Sequence, residues 1–113
     1  MILVDTDGDC TELVPLFLEG GITGLYPMET STGMDIVGIR RKFPTLQMLG
    51  GVSKYDVAGG KESTDRGLNI VERLMRQGGY VPFVDHSVPP AVSWKDFSYY
   101  RTRLNALIDQ RGA

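Results

Sequence analysis

The feature that most constrains this chain is a pattern that repeats four times along it. In each repeat, a short apolar run ends in acidic residues or glycines and is followed by a segment with helical periodicity. The apolar runs are MILVDTDGD, ITGLYPME, TLQMLGG and YVPFVDH. Strands that alternate with helices in this way pair in parallel through right-handed crossovers. The sequence therefore predicts an α/β fold of four consecutive strand-helix units.

The helical segments are predicted from apolar residues that recur at three- and four-residue spacing. The faces expected to be buried are Leu13, Leu16 and Phe17; Met34, Val37 and Arg41; Leu68, Val71, Leu74 and Met75; and Phe97, Tyr100, Leu104 and Leu107. Ser93 is the expected N-cap of the last helix, with Asp96 completing the cap. The stretch VSKYDVAGG is interpreted as a loop.

Two architectures fit this alternation equally well. One is an open doubly wound sheet, complete in itself; the other is a segment of a (β/α) barrel, which needs about 250 residues for eight units. The first strand-helix junction, DTDGDCTE, lacks the glycine pattern of a dinucleotide site, and the chain has no phosphate-binding loop of the Gly-Lys-Ser/Thr type.

Composition narrows the class of protein. A chain of 113 residues with 42% hydrophobic and 23% charged residues is expected to form one soluble globular domain. The net charge of -2, with basic residues interspersed among acidic ones, indicates no nucleic-acid surface. The single cysteine, Cys10, excludes an internal disulfide and is expected on a helix face. Because no signal peptide or membrane span is recognisable, the expected location is the cytoplasm, without membrane contact.

The residues best suited to catalysis or metal binding follow the predicted strands. Asp5 and Asp7 end the first strand, Glu29 ends the second, Lys54 lies just after the glycines that end the third, and Asp85 and His86 end the fourth. In parallel α/β folds, ligands bind at the carboxyl ends of the strands. The side chains of Asp5, Asp7, Glu29, Lys54 and His86 are therefore the candidate site.

Each candidate also has a functional and a structural interpretation. Asp5 and Asp7, two residues apart, share one face of an extended strand, where paired carboxylates repel unless a cation or a donor lies between them. His86, the only histidine, is a ligand or a proton donor, or else a hydrogen-bonded structural residue. Asp9 is interpreted as an N-cap and Lys54 as catalytic or a surface residue.

Several motifs in order resemble one protein family. The runs VDTDGD, LFLEGGITGLYPMET, GMDIVGIRRKFP, MLGGVSKYDVAGGKES and GGYVPFVDHSVPPAVSWKDFSYY are similar to the C-terminal half of the uroporphyrinogen decarboxylase superfamily. The similarity extends from about Ile2 to Leu107, and the branch it most resembles is decarboxylase-like and related to cobalamin-dependent methyltransferases. The resemblance implies a (β/α)8 barrel, of which residues 1–113 form the C-terminal half as a single domain.

A half-barrel needs a partner. Two parallel edge strands with unpaired backbone groups, and one bare face of the sheet, are too costly for a stable monomer. We therefore expect a homodimer of half-barrels or pairing with a complementary half-barrel. An excised fragment or one part of a split enzyme are the alternatives.

The methyltransferases of this superfamily imply one mechanism. They hold zinc through a His-x-Cys pair and a distant cysteine, and those positions resemble Asp5, Asp7 and His86 here. Carboxylate oxygens are harder ligands than cysteine thiolates, in the sense of hard and soft metal ligands. Glu29 is a further possible ligand. Zinc is the metal most expected at this site, and nickel and manganese are the alternatives. The resemblance then implies metal-assisted methyl transfer to or from a small molecule, with a corrinoid carried by a partner protein.

The decarboxylases of the superfamily imply a second mechanism, without metal, on a tetrapyrrole of porphyrin biosynthesis or another acidic substrate. Their Gly-His-Gly strand end falls on His86, although this chain reads DHSVPP there. Asp5 or Asp7 would act as a general base or stabilise a cation, Lys54 would assist, and His86 would donate a proton. A half-barrel without catalytic activity is the third possibility.

Overall fold

The computed structural model describes residues 1–112, which form four strands and five α-helices. The strands are β1 (Leu3–Asp5), β2 (Gly24–Met28), β3 (Gln47–Val52) and β4 (Tyr80–Val84). The helices are α1 (Val14–Glu19), α2 (Ile36–Lys42), α3 (Lys54–Ala58), α4 (Lys61–Gln77) and α5 (Trp94–Gly112). Short 3₁₀ turns cover Thr11–Leu13 and Thr30–Thr32. Among the described residues, no helix is both long and apolar enough to cross a membrane.

The four strands form one parallel sheet in the order β1-β2-β3-β4. Every crossover therefore steps to the next strand in the same direction, and right-handed crossovers place the connecting helices on one face. A doubly wound sheet requires a reversal of strand order, which this sheet lacks. The predicted α/β class with four parallel strands is confirmed, and the order is the one that consecutive units of a (β/α) barrel have.

The hydrophobic core lies between the sheet and the helices in two clusters. The first centres on Leu25, Met28 and Met48 of the sheet. The second joins Val52 to helix residues, and its other members are Val57, Leu68, Val71, Tyr100, Leu104 and Leu107. Val81, whose neighbour Tyr80 packs on the core, belongs to the opposite face and is 53% exposed. One face of the sheet is thus packed, and the other carries exposed apolar surface.

An irregularity in β2 prepares the site. Leu25 and Met28 are both buried although they are three residues apart, a spacing that would place them on opposite faces of a regular strand. The register between β2 and β3 shifts between these two residues, as in a β-bulge. The shift keeps both side chains in the core and leaves Tyr26 and Pro27 on the cavity described below.

The predicted buried faces of the two long helices are confirmed. Leu68, Val71 and Leu74 of α4 are buried, and Met75 is partly buried against the second core cluster. The described part of α5 buries Tyr100, Leu104 and Leu107, with Phe97 packed beside them. Ser93 caps this helix as expected, since its Oγ accepts a hydrogen bond of 3.1 Å from the Asp96 backbone N–H.

The predicted faces of the two short helices are correct only in part: Phe17 packs against the first core cluster and Met34 is buried in it, but the other predicted residues are out of phase. Leu13 and Leu16 are 46% and 62% exposed, because a 3₁₀ turn precedes α1 and the buried residue is Val14. In α2 the buried residues are Ile36, Ile39 and Arg40, whereas Arg41 is exposed. That helix begins only at Ile36, where the Asp35 side chain accepts from the Gly38 N–H, and this start fixes which residues face inward.

Two further expectations about local structure are corrected. The stretch interpreted as a loop contains α3, which Ser53 begins by accepting a hydrogen bond from the Tyr55 N–H. The glycines expected to end the third strand lie inside it, since β3 continues to Val52. Gly50 has φ +110°, and a Cβ there would lie 2.8 Å from the Met28 backbone nitrogen. A glycine is therefore required for β2 and β3 to approach at this point.

The buried Arg40 joins the loop before β3 to the loop before β4. Its guanidinium donates to the carbonyl oxygens of Pro44, Leu46 and Gly79 at 2.8–2.9 Å, and burial lowers its pKa. Lysine cannot supply donors in that planar arrangement. We expect Arg40→Lys to lower the free energy of unfolding by about 2 kcal/mol, measured by urea denaturation, and Arg41→Lys on the exposed side to change it by less than about 0.5 kcal/mol. Equal effects at the two positions would contradict this role for Arg40.

Candidate functional site

An open cavity of about 470 Å³ lies at the carboxyl ends of the strands. It is lined by Asp5 and Asp7 from the end of β1, by Tyr26 and Pro27 of β2, and by Phe83, Val84, His86 and Ser87 from the end of β4. Residues of both edge strands can share one cavity only if the sheet is concave on this side. This is the edge at which parallel α/β folds bind ligands.

Asp5, Asp7 and His86, which the sequence predicted to converge, line this cavity together. All three are exposed residues, so their polar ends are accessible to a ligand. Although β1 ends at Asp5, the chain carries Asp7 to the same cavity. The His86 Nδ1 lies 3.3 Å from the Ser87 carbonyl oxygen. A proton on Nδ1 would make a hydrogen bond with this oxygen, and Nε2 would then be the nitrogen available to a ligand.

Glu29 lies elsewhere. It is 4% exposed, and its Oε1 accepts a hydrogen bond of 3.1 Å from the Gly8 backbone N–H. Its carboxylate therefore ties the loop after β1 to the end of β2. Within residues 1–112, no three side chains of the His, Cys, Asp and Glu types are grouped closely enough to hold a metal ion. The zinc set of Asp5, Asp7, Glu29 and His86 remains a prediction.

Lys54 is also outside the residues that line this cavity. Its backbone N–H donates to the Asp85 Oδ1 at 2.9 Å, and its Nζ lies 5.4 Å from the centroid of the Tyr55 ring. Lys54 and Tyr55 are the first two residues of α3, and this contact between them is a cation–π interaction. The catalytic role predicted for Lys54 therefore has no contact in this structure that supports it, and it remains a prediction.

Asp85 is the residue that organises the strand ends, and it was not among the predicted site residues. It is fully buried, and its Oδ2 accepts from the Ser31 N–H at 2.7 Å and from the Thr30 hydroxyl at 3.4 Å. Its Oδ1 accepts from the Lys54 N–H. One carboxylate thus fixes the loops after β2 and β3 to the end of β4, next to His86. The available signal was its position directly after the apolar run YVPFV.

Asp9 and Cys10 are structural residues, but not in the predicted positions: Cys10 and not Asp9 is the N-cap of the 3₁₀ turn Thr11–Leu13, so Cys10 precedes the turn instead of lying on a helix face. The Asp9 carboxylate accepts hydrogen bonds from the backbone N–H and the hydroxyl of Thr11, which shapes the start of the first helical turn. Cys10 is a buried free thiol of the first core cluster, and burial raises its pKa. Neither residue is left with a free functional group at the cavity.

Comparison with known proteins gives no relative for this chain. No family model, no curated protein and no solved structure matches it. The functional assignment therefore depends on the cavity and its residues.

Proposed function

We propose that this chain is a uroporphyrinogen decarboxylase-like half-barrel whose strand-end cavity carries out metal-free decarboxylation of a small acidic substrate. The observation that supports this proposal is the grouping of two exposed carboxylates and the only imidazole around one open cavity. Such a set can move a proton and stabilise a positive charge without a further group. The aromatic residues Tyr26 and Phe83 also line the cavity, and aromatic side chains suit a flat substrate ring.

The chemistry follows from where each group lies. The imidazolium of His86 donates a proton to a ring carbon of an electron-rich substrate, which gives the ring a positive charge. Asp5 or Asp7 stabilises that cation. The bond to the carboxylate then breaks, its electron pair forms an exocyclic C=C bond that neutralises the ring, and CO2 leaves. A proton from solvent adds to the exocyclic carbon, and the ring carbon returns its added proton to the His86 imidazole.

The direct test is release of CO2 by the purified chain after treatment with a chelator. Uroporphyrinogen serves as the tetrapyrrole probe and pyrrole-3-acetic acid as the single-ring probe, with products separated by chromatography. We expect at least one probe to lose carboxylate as CO2, with no loss of rate after chelation. Absence of turnover on both probes would count against decarboxylation of pyrrole acids and favour the third possibility, a half-barrel without catalytic activity.

Metal-assisted methyl transfer is the second candidate, because Asp5, Asp7 and His86 are all residues able to bind zinc and line one cavity. A further ligand from a substrate or from a partner subunit would complete the coordination of the metal. In this candidate the methyl group is carried by a corrinoid on another protein. Metal analysis of the purified chain is the test: stoichiometric zinc that is lost in His86→Ala would favour this candidate over the first.

The sheet also suggests how the barrel is completed. A two-fold axis parallel to the strands would place β4 of one copy beside β1 of the other, with both strands in the same direction, and would do so twice. Eight parallel strands would then close, and both edges and the exposed face around Val81 would be covered. We therefore propose a homodimer in the cytoplasm, where a free cysteine such as Cys10 stays reduced. Sedimentation equilibrium tests this, and a monodisperse monomer at micromolar concentration would contradict it.

A further inference from the structure

A second cavity, of about 480 Å³, opens on the helix side of the same strand ends. It lies between the loop after β2, helix α2, helix α3 and the first half of α4. The polar residues that line it include Ser31, Ser53 and Asp56, and its apolar wall is formed by Met34, Ile36, Val37 and Ile70. None of the residues predicted from the sequence as site residues lines it.

The Asp56 carboxylate is the charged group of this cavity that lacks a compensating partner. The ion pairs among the described residues are Arg76–Glu72 and Arg103–Asp65, so Arg66 acts on Asp56 only at longer range. Burial raises the Asp56 pKa, Arg66 on α4 opposes that rise, and Asp85 adds to it. A partly buried carboxylate without a cation beside it is costly in the absence of a ligand.

Gly67 keeps space at this carboxylate. It lies in the middle of the 17-residue helix α4, where glycine weakens the helix relative to alanine. A Cβ at this position would lie 2.9 Å from the Asp56 Oδ2, so a larger residue would displace the carboxylate. The opening in front of Asp56 therefore depends on a residue that the helix alone does not favour.

Ser31 supplies a second unsatisfied polar group. Its Oγ is buried and has no hydrogen-bond partner among the described residues, although its backbone N–H is held by Asp85. Buried hydroxyl groups in native proteins normally have a partner. An uncompensated carboxylate and an apolar wall thus line one cavity, and the buried hydroxyl without a partner belongs to another of its lining residues.

We propose that this second cavity binds a small organic cation, a primary ammonium carried on a short apolar chain. The ammonium would pair with the Asp56 carboxylate and donate to the Ser31 hydroxyl, while the chain would lie against Val37 and Ile70. An anionic ligand is disfavoured because Asp56 and Asp35 line the cavity. This inference does not depend on the decarboxylase proposal, since the two cavities share no lining residue.

The test uses n-butylammonium chloride as the probe, with n-butanol and sodium butyrate as neutral and anionic controls. Backbone amide shifts of the ¹⁵N-labelled chain are recorded during titration. We expect saturable shifts at the amides of Ser31, Tyr55 and Gly67 with butylammonium alone. Asp56→Asn should weaken binding at least about tenfold, the loss of one buried ion pair, and Asp109→Asn on α5 is the matched control with unchanged affinity.

Gly67→Ala is the second variant, because it retains the carboxylate and removes the space in front of it. It should also weaken binding, which keeps the test informative if Asp56→Asn fails to fold. Affinity in the unchanged chain should fall as the pH is lowered toward the raised Asp56 pKa, since protonation removes the charge that pairs with the ammonium. Equal shifts with n-butanol, or binding that survives both substitutions, would overturn the proposal.

Discussion

Replacing Asp85 with alanine should lower the free energy of unfolding by about 3–4 kcal/mol, the largest stability effect that we expect for one side chain of this fold. The carboxylate is fully buried and accepts from two backbone N–H groups, those of Ser31 and Lys54, and from the Thr30 hydroxyl. The alanine variant leaves these donors without an acceptor in a region that water reaches poorly. Urea denaturation followed by circular dichroism measures the change.

Asp85→Asn separates the charge of this residue from its shape. The amide keeps one acceptor oxygen but turns an NH2 group toward one of the backbone donors, so we expect an intermediate loss of about 2 kcal/mol. Asp109→Ala provides a control at an exposed carboxylate of α5, where a change within about 0.5 kcal/mol is expected. If Asp85→Ala changed stability no more than this control, the loops after β2 and β3 would not depend on the carboxylate.

Asp85 also shows why the sequence could identify the edge of the sheet but not the function of each acid there. The alternation of apolar runs and helices predicts where strands end, and so it identified Asp5, Asp7, Glu29 and His86 as residues of one edge. Whether an acid at that edge faces a cavity or the backbone of a neighbouring loop depends on contacts between distant segments. Glu29 accepts from Gly8, 21 residues away, and Asp85 accepts from Ser31, 54 residues away. No local pattern encodes such pairs.

The helices show the same limit. The face of α4 could be predicted because 17 residues give several turns of consistent spacing, and Leu68, Val71 and Leu74 fix its phase. Helix α1 has six residues and follows a 3₁₀ turn that changes the number of residues per turn. An error of one residue at such a start moves Leu13 and Leu16 from the predicted core to the surface. Short helices are therefore determined by how they begin, and sequence periodicity defines that point poorly.

The strand order required the structure as well. Four strand-helix units are compatible with a barrel-like sheet, in which each new strand is added to the same edge, and with a doubly wound sheet, in which strands are added to both edges. The sequence patterns of the individual strands and helices are the same in the two architectures. The registers Leu3–Gly24, Gly24–Gln47 and Met48–Tyr80 establish that each strand pairs with the next in the chain. This order leaves β1 and β4 as edges and one face without helices, and so it gives the homodimer proposal its geometric basis.

Replacing His86 with alanine should reduce the rate of decarboxylation by about 10²–10⁴-fold, the range that a positioned general acid contributes. His86 is exposed and lies after the end of β4, so its removal should leave the thermal unfolding midpoint unchanged. Because the residue supplies only a proton, exogenous imidazole should restore part of the activity of the alanine variant. The measurement is initial rate of CO2 release against imidazole concentration.

Two matched variants distinguish this role of His86 from the alternatives. Asp7→Asn should also slow the reaction, because it weakens stabilisation of the cation, but imidazole should not rescue it. Lys54→Met decides the catalytic role predicted for that lysine, whose backbone N–H rather than its ammonium contacts Asp85. A His86→Ala variant that retained full activity would exclude the proton-donor mechanism. If the His86→Ala variant lost its bound zinc together with its activity, and imidazole did not restore that activity, the result would instead favour the metal-assisted transferase.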